Sequence, residues 1–412
     1  MSPAVREIDV AAARRLAVSA QRLAGRPPRS SPRAVLEMVR AIRCVQLDPI
    51  SVVARSPLLV LRSRLPSFRP EHLDRVAYRD RDLFEYWAHA ASLVLTEDFP
   101  IHQYLMRTYL RSSRWGARAR AWAEANAKLR RSIVSDLRRR GPLRTRDLAD
   151  LAVEGWRSSG WTADRNVDRM LDLLWTTGRV LVADRRGLEK WWDVAERVLP
   201  AEVRGARLSD RAVTQRAAEL SLRALGIGTA AHIKRHFTED RYPDLPRVLA
   251  RFEREGRIER VRVLDDHAEL RGPWFVHRED LALLERIGRG RWEPRSTLLS
   301  PFDNLIRDRR RTLELFEMDY KMEIYVPKTA RRYGYYAMPL LDGERFIARV
   351  DSAADRGRRR LVVHAVTPEV GVRPARTNAA VVAGAVHELA AWTGADGVEV
   401  GERVPSVWRR GL

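Results

Sequence analysis

The stretch that decides the fold is residues 162–194, TADRNVDRMLDLLWTTGRVLVADRRGLEKWWDV. Its first half places apolar side chains on one helical face, at Val167, Met170, Leu171 and Leu174. We predict that Thr162 opens this helix and that Gly178 ends it, because glycine readily adopts the left-handed conformation found at helix ends. Strands over residues 179–184 and 188–194 follow around a basic turn. The stretch therefore predicts a helix followed by a two-stranded hairpin.

The residues before this stretch predict two more helices. Apolar side chains recur at helical spacing over residues 129–137, and Gly141-Pro142 stops that helix. Thr145 then caps a short helix over residues 146–152. Three helices followed by a two-stranded hairpin is the order of a winged helix, a relative of the helix-turn-helix motif.

The same order of elements returns further along the chain. A helix around residues 213–220 precedes a second helix that Thr229 caps and a third that ends at Gly256. Strands over residues 257–264 and 267–270 follow. The sequence thus predicts a second winged-helix unit.

The N-terminal region is interpreted as a third copy. A helix is predicted over residues 8–23, and Ser31 caps a further helix that begins with Pro32 and runs to Ile42. Residues 44–53 then read as extended chain. The Gln-Leu-Asp motif discussed below lies in this extended part.

After about residue 291 the sequence turns to strands. Residues 333–341 and 344–350 alternate around Asp342-Gly343, a strong signal for a tight hairpin, and a helix is predicted over 378–393. The predicted fold class is α+β: tandem winged-helix units with a C-terminal mixed α/β domain. The predicted domains are 1–120, winged-helix-like and carrying the Gln-Leu-Asp motif; 121–200, the second winged helix; 201–285, the third; and 286–412, the C-terminal domain with its hairpin.

Composition narrows the function. The formal net charge of +22 indicates a polyanionic partner, most simply nucleic-acid phosphate, although a merely basic surface is the alternative. One cysteine excludes an intramolecular disulfide and a cysteine-clustered zinc site. The nine histidines are dispersed without metal-ligand spacing, so we expect no metal and no cofactor. No apolar run matches a membrane span, and we expect a cytoplasmic, nucleoid-associated protein.

Residues 44–49, CVQLDP, are the best candidate for chemistry. In extended chain, residues two apart point to the same side, so Gln46 and Asp48 present an amide and a carboxylate together. An amide can orient a water molecule, while a carboxylate can activate it or stabilise a neighbouring cation. The alternative is an ordinary strand entering a proline turn.

Several longer blocks occur in a fixed order around this motif. They are Gln46-Leu47-Asp48, Arg62-Ser63-Arg64-Leu65-Pro66, residues 83–90 (LFEYWAHA), residues 299–305 (LSPFDNL) with Arg307 and Arg309-Arg310-Arg311, and residues 331–335 (RRYGY). The set resembles the bacterial interstrand-crosslink repair DNA glycosylases of the AlkZ/YcaQ type, over nearly the whole chain. The resemblance implies winged helices around a concave DNA-binding surface and hydrolysis of the glycosidic bond of N7-alkylated guanine.

The resemblance also assigns roles to the motif. It places the family's catalytic pair on Gln46 and Asp48, and the aspartate matches the Gln-aliphatic-Asp, general-repair branch. Alkylation at N7 makes guanine a good leaving group, so a carboxylate that stabilises the oxocarbenium or activates water is sufficient chemistry. Only five lysines occur, which disfavours a lysine nucleophile and favours a monofunctional hydrolase.

The remaining site candidates fall into two groups. Tyr86, Trp87 and His89 are predicted to line the lesion pocket, with an aromatic core cluster as the alternative. The predicted DNA-binding residues are Arg307, Arg309, Arg310, Arg311, Arg331, Arg332, Tyr333 and Tyr335. Residues 333–350 are either a minor-groove wedge or an ordinary hairpin. The expected partner is double-stranded DNA with alkylated guanine or crosslinks, bound by a monomer; a winged-helix transcription regulator without catalytic activity is the alternative function.

Overall fold

The computed structural model describes residues 5–111, 114–156, 165–238, 241–265 and 268–412, and these residues form a mixed α+β fold. Within them, none of the helices combines the length and the apolar character needed to cross a membrane. Thr162, the residue predicted to begin the central helix, lies outside these ranges. Asp266 and His267 of the second predicted hairpin also lie outside them.

Helices carry most of the regular structure in the described residues. They are α1 Val10–Ala20, α2 Pro32–Ile42, α3 Ser56–Arg62, α4 Pro70–Asp74, α5 Phe99–Thr108, α6 Arg114–Ala125, α7 Ala127–Arg140, α8 Asn166–Thr176, α9 Ala195–Val198, α10 Ala201–Arg204, α11 Asp210–Leu225, α12 Ala230–Arg235, α13 Leu245–Arg254, α14 Leu281–Gly288, α15 Asn304–Arg307, α16 Arg309–Phe316, α17 Arg376–Trp392 and α18 Ser406–Arg409.

The strands form several small sheets. They are β1 Arg6–Asp9, β2 Cys44–Gln46, β3 Leu83–Trp87, β4 Ala91–Leu95, β5 Val180–Arg186, β6 Glu189–Val194, β7 Ile227–Gly228, β8 Ile258–Leu264, β9 Trp274–His277, β10 Ser296–Leu298, β11 Ala337–Asp342, β12 Arg345–Asp355, β13 Arg360–Pro368 and β14 Gly397–Arg403. The sheets have the orders β2-β4-β3, β5-β6, β1-β8-β9-β7 and β10-β11-β12-β13-β14.

The central helix and hairpin are present where the sequence places them. Helix α8 ends before Gly178, whose φ of 69° is the left-handed conformation that favours glycine, and the antiparallel pair β5–β6 follows. The short helix predicted over residues 146–152 is wrong in extent. Only one 3₁₀ turn, Thr145–Asp147, forms there, and Asp147 closes it by accepting hydrogen bonds from the Arg144 backbone and guanidinium.

The second repeat needs two corrections. Helices α11, α12 and α13 form, and Thr229 caps α12 by accepting from the His232 backbone N–H. However, β8 pairs mainly with β9 at Trp274–His277, and of the predicted second strand the described residues give one antiparallel bridge, Glu269 to Leu264. The start of the helix predicted over residues 8–23 is instead β1, which pairs in parallel with β8. Asp9 ends this strand and caps α1 through its side chain.

The C-terminal hairpin forms as predicted but its tip is covered. Gly343 has a φ of 59° at the turn between β11 and β12. A side chain there would meet Pro294 and Trp292, and Glu344 beside it pairs with Arg15 of α1. The packed turn favours an ordinary hairpin, and the minor-groove wedge stays a prediction.

The apolar cores run across all three predicted domain boundaries. One cluster joins Ala119 to Trp122 and Leu199 to Val213, and a second includes both Leu284 and Ile287. The second cluster also packs α1 against residues of the C-terminal sheet. The domain division at residues 120, 200 and 285 thus stays a prediction, and the packing couples the units closely.

A buried ion pair joins two segments that are 239 residues apart in the sequence. Both guanidinium nitrogens at the end of Arg64 donate to the carboxylate of Asp303, at 2.6 and 3.1 Å, and both side chains are fully excluded from solvent. Gln21 supplies a further acceptor to Arg64 at 3.1 Å. A buried pair of this geometry is costly to break because the surviving charge stays desolvated.

Asp303→Asn should therefore destabilise the fold by about 3–5 kcal/mol, since the charge of Arg64 would lose its counterion. The matched control is Glu37→Gln, which removes an exposed pair with Arg33 and should change stability by less than about 1 kcal/mol. Urea-induced unfolding of the two variants and the parent measures this. Equal, small shifts in both variants would contradict the assignment.

Candidate active site and nucleic-acid interface

A three-stranded sheet brings the motif to the residues predicted around it. β2 pairs with β4, so Gln46 lies opposite Ser92, and β3 pairs with β4 so that Trp87 lies opposite Ala91. His89 occupies the tight turn between β3 and β4, where Ala88 donates a backbone hydrogen bond to Ala90. The sheet thus juxtaposes two sequence-distant predicted site residues, Gln46 and His89.

The contact between these two residues is direct. The Nε2 atom of His89 lies 3.1 Å from Oε1 of Gln46, and its Nδ1 atom lies 3.7 Å from Sγ of Cys44. Burial and the nearby Arg307 guanidinium hold the pKa of His89 well below its usual value. The imidazole is therefore neutral at physiological pH. Burial raises the pKa of the Cys44 thiol to about 12, so the sulfur keeps its proton.

Asp48 lies where the chain leaves the sheet. The Leu47 N–H donates to the carbonyl of Ala91, and beyond it Oδ1 of Asp48 accepts from the Ile50 N–H at 2.9 Å. The side chain is half-buried, and burial raises the pKa of Asp48 against the opposing effect of that N–H. A carboxylate that is partly desolvated but ionised above its pKa can accept a proton from water.

A cavity of about 310 Å³ opens beside His89. Its lining residues are Tyr86, Trp87, Ala88, His89, Leu105, Tyr109, Thr238 and Arg241. Tyr86 is buried and its hydroxyl donates to the carbonyl of Thr176 at 2.6 Å, so its ring belongs largely to the aromatic core. Trp87 is 42% exposed and is fixed by a 3.2 Å hydrogen bond to the Thr176 hydroxyl. The lining residues that are at least partly exposed are Trp87, Ala88, His89, Tyr109 and Arg241.

Asn304 fixes the backbone that leads into the Gln-Leu-Asp motif. The side-chain amide of Asn304 donates to the carbonyls of Ile42 and Cys44, at 2.9 Å each, and so fixes the start of β2. Asp303, next to it, is held by Arg64. Sequence reasoning assigned no role to Asn304, although its block was among those that carried the family resemblance.

The adjacent Arg310 and Arg311 differ in whether their side chains face solvent or the interior. Arg310 is exposed, whereas Arg311 is buried and donates to the carbonyls of Leu225 and Ile227. The expected phosphate contact of Arg311 is therefore wrong, because its guanidinium holds two backbone carbonyls inside the fold.

Like Arg311, the nearby Arg309 and Arg307 bind groups of the protein itself. Arg309 donates to the carbonyls of Pro301 and Ile306, and its guanidinium lies 4.4 Å from the centre of the Tyr320 ring. The half-buried Arg307 donates to the carbonyl of His236 at 3.4 Å, close to His89. In the run, Arg310 is the residue that the fold directs to solvent.

The aromatic segment before β11 forms a separate surface. Glu323 accepts hydrogen bonds from the backbone N–H groups of residues 332–334, which fixes this loop. Arg332 and Tyr335 are exposed, and the guanidinium of Arg331 lies 4.8 Å from the centre of the Tyr335 ring. Tyr333 is half-buried, with the Arg349 guanidinium 3.8 Å from its ring centre.

Comparison with known proteins identifies close matches in family and fold. A family model described as AlkZ-like, DNA glycosylase AlkZ-like, matches residues 39–392. Among solved structures, the DNA glycosylase AlkZ of Streptomyces sahachiroi is similar, with a TM-score of 0.64 and 17% sequence identity. The match covers 97% of this chain and 100% of that chain. At this identity the structural likeness shows the shared fold.

Arg310 and Arg311 offer a matched test of the division between surface and core. Arg310→Ala should lower the affinity for duplex DNA and reduce the salt slope by about 0.9, because one phosphate contact is lost. Arg311→Ala should destabilise the fold by several kcal/mol, since it orphans buried carbonyls at about 1–3 kcal/mol each. Binding titrations over a range of salt and thermal unfolding measure the two effects. An unchanged salt slope for Arg310→Ala, or parental stability for Arg311→Ala, would contradict the division.

Proposed function

The chain belongs to the AlkZ-like DNA glycosylase family, and from that premise we propose that it hydrolyses the N-glycosidic bond of N7-alkylguanine in DNA, including guanines held in interstrand crosslinks. One observation carries the proposal: Gln46 contacts His89 in the wall of a base-sized cavity, and Asp48 follows two residues later. The family membership makes a transcription regulator without chemistry the weaker alternative.

The reaction we propose needs little acid catalysis. A guanine alkylated at N7 carries a positive charge, so the C1′–N9 bond breaks with its electron pair going to the base. The deoxyribose develops oxocarbenium character, which the carboxylate of Asp48 stabilises. Water then adds to C1′ while Asp48 accepts its proton, and Gln46 holds the water in place. The products are the free base and an abasic site.

We propose that this cavity, which Arg241 also lines, receives an alkylated base that has left the duplex stack. Its volume of about 310 Å³ accommodates a purine, and the exposed Trp87 offers an aromatic face to a cation. His89 is neutral, so it adds no repulsion to the positive charge of the lesion. In this proposal Trp87 and His89 line the lesion pocket and Tyr86 supports them from the core.

The DNA duplex in this proposal lies against the basic surface. Arg310, Arg332 and Tyr335 are the exposed members of the predicted set, and we propose that they contact the sugar-phosphate backbone. Arg331 and Tyr333 support that loop, while Arg307 stands beside the lesion pocket. We further propose that the two repeats are winged-helix units, that the Gln-Leu-Asp motif marks the general-repair branch, and that the protein acts as a monomer.

Asp48→Asn tests the chemistry most sharply, because it keeps the shape of the side chain and removes its charge. The single-turnover rate of excision from an N7-methylguanine duplex should fall by about two to four powers of ten. DNA affinity should hold or rise, since a negative charge facing a polyanion is removed. Alkaline cleavage at abasic sites measures the rate.

The pH profile supplies the internal control for this variant. In the parent, the rate should fall as the pH drops through the pKa of Asp48, which burial places above the ordinary value of about 3.9. Asp48→Asn should lack this acid limb. A folded Asp48→Asn that excises at the parental rate, with the limb intact, would remove Asp48 from the reaction.

A further inference from the structure

We infer that His89 is a positioning residue that fixes the orientation of the Gln46 amide, at the end of a series of contacts that runs from Asn304 through Cys44. The inference rests on the proposed role of Gln46 and adds which end of its amide faces the reacting atoms. Its parts come from three segments of the sequence: residue 304, strand β2 and the β3–β4 turn.

The series of contacts begins at the side-chain nitrogen of Asn304, which can only donate hydrogen bonds. The Nδ2 atom of Asn304 donates to the carbonyls of Ile42 and Cys44, and the same atom lies 3.9 Å from the sulfur of Cys44. An amide nitrogen can only donate, and the two hydrogens of this one are given to the two carbonyls, so it offers the Cys44 thiol no acceptor. The thiol proton of Cys44 is consequently directed elsewhere.

The next link directs that proton to the histidine. The Cys44 side chain is fully buried, and its raised pKa of about 12 keeps the proton on sulfur throughout the physiological range. Nδ1 of His89 lies 3.7 Å away and accepts it. A neutral imidazole carries one N–H, so with Nδ1 accepting, the hydrogen of His89 resides on Nε2.

The last contact determines which atom of the Gln46 side-chain amide is occupied. Nε2–H of His89 donates to Oε1 of Gln46 over 3.1 Å, and the amide oxygen is thereby occupied. The free end of the side chain is its NH₂ group, which can only donate. Gln46 therefore holds water through the water oxygen and cannot take its proton.

This orientation separates the tasks of the two motif residues. Asp48 is the acceptor for the proton, and Gln46 is the donor that places the oxygen. The reverse tautomer of His89 would accept from the amide nitrogen and turn the Gln46 oxygen toward the reacting centre, where it would compete with Asp48. The charged and titratable groups that face His89, Arg307 and His236, both favour its neutral form, so the orientation persists across the working pH range.

A double-mutant cycle tests the coupling between His89 and Gln46. His89→Leu removes both ring contacts, whereas His89→Gln keeps a donor near the position of Nε2. We expect His89→Leu to slow single-turnover excision of N7-methylguanine about 10- to 100-fold, because a misplaced catalytic group costs this much. His89→Gln should recover most of the rate, and the affinity for an unmodified duplex, which places no base in the lesion pocket, should be unchanged in both. In a Gln46→Ala background, His89→Leu should slow the reaction no further.

The outcomes separate this inference from the proposed function. If His89→Leu slows Gln46→Ala by the same factor as it slows the parent, His89 acts independently and the inference is overturned. If Gln46→Ala retains the parental rate, the proposed role of Gln46 fails instead. Thermal unfolding of each variant identifies loss of structure.

A second measurement does not depend on activity. ¹⁵N chemical shifts of selectively labelled histidines in the full chain report which ring nitrogen carries hydrogen. The inference predicts that Nε2 of His89 is protonated and that Cys44→Val, which removes the thiol donor, perturbs this tautomer. Protonation of Nδ1 in the parent protein would overturn the inference.

Discussion

The buried ion pair between Arg64 and Asp303 is the constraint from which the site geometry follows. Arg64 lies two residues after α3 and Asp303 directly before α15, and their bidentate pairing fixes two regions that are distant in sequence. Because Asp303 is held, Asn304 reaches back to the carbonyls of Ile42 and Cys44. Strand β2 and the motif that follows it are thereby positioned from the C-terminal half of the chain.

Buried arginines like Arg64 also change how the high net charge is interpreted. Several arginines bind acceptors within the protein: Arg311 donates to two backbone carbonyls, Arg349 pairs with Glu369, and Arg185 pairs with Glu85. Each supplies a planar set of donors that matches carbonyl or carboxylate acceptors. The net charge of +22 still favours a polyanion, but the residues that can meet phosphate are those that the packing leaves outside, such as Arg310 and Arg332.

Sequence reasoning succeeded where the controlling interactions are local. The cap at Ser31, the glycine at 178 and the Asp342-Gly343 turn act within a few residues, and each element formed as predicted. It failed where distant residues decide, as in the pairing of β1 with β8 and the choice of β9 as the partner of β8.

The candidate site shows the same limit. That Gln46 and Asp48 point to the same side is what extended chain predicts from the sequence alone, and it stays a prediction. The contact of Gln46 with His89 depends on strand pairing, and the inward direction of Arg309 and Arg311 depends on packing against other segments. Neither leaves a periodic signal in the sequence.

In the proposed function this DNA glycosylase acts on a cationic guanine, which is selected by the weakness of its own glycosidic bond and by the pocket beside His89. The most direct measurement is a single-turnover assay of the parent protein on matched duplexes that differ only in one N7-methylguanine, followed by alkaline strand cleavage. The account predicts abasic sites at the alkylated position and none in the unmodified duplex. Stable binding of the alkylated duplex without release of the base would contradict it.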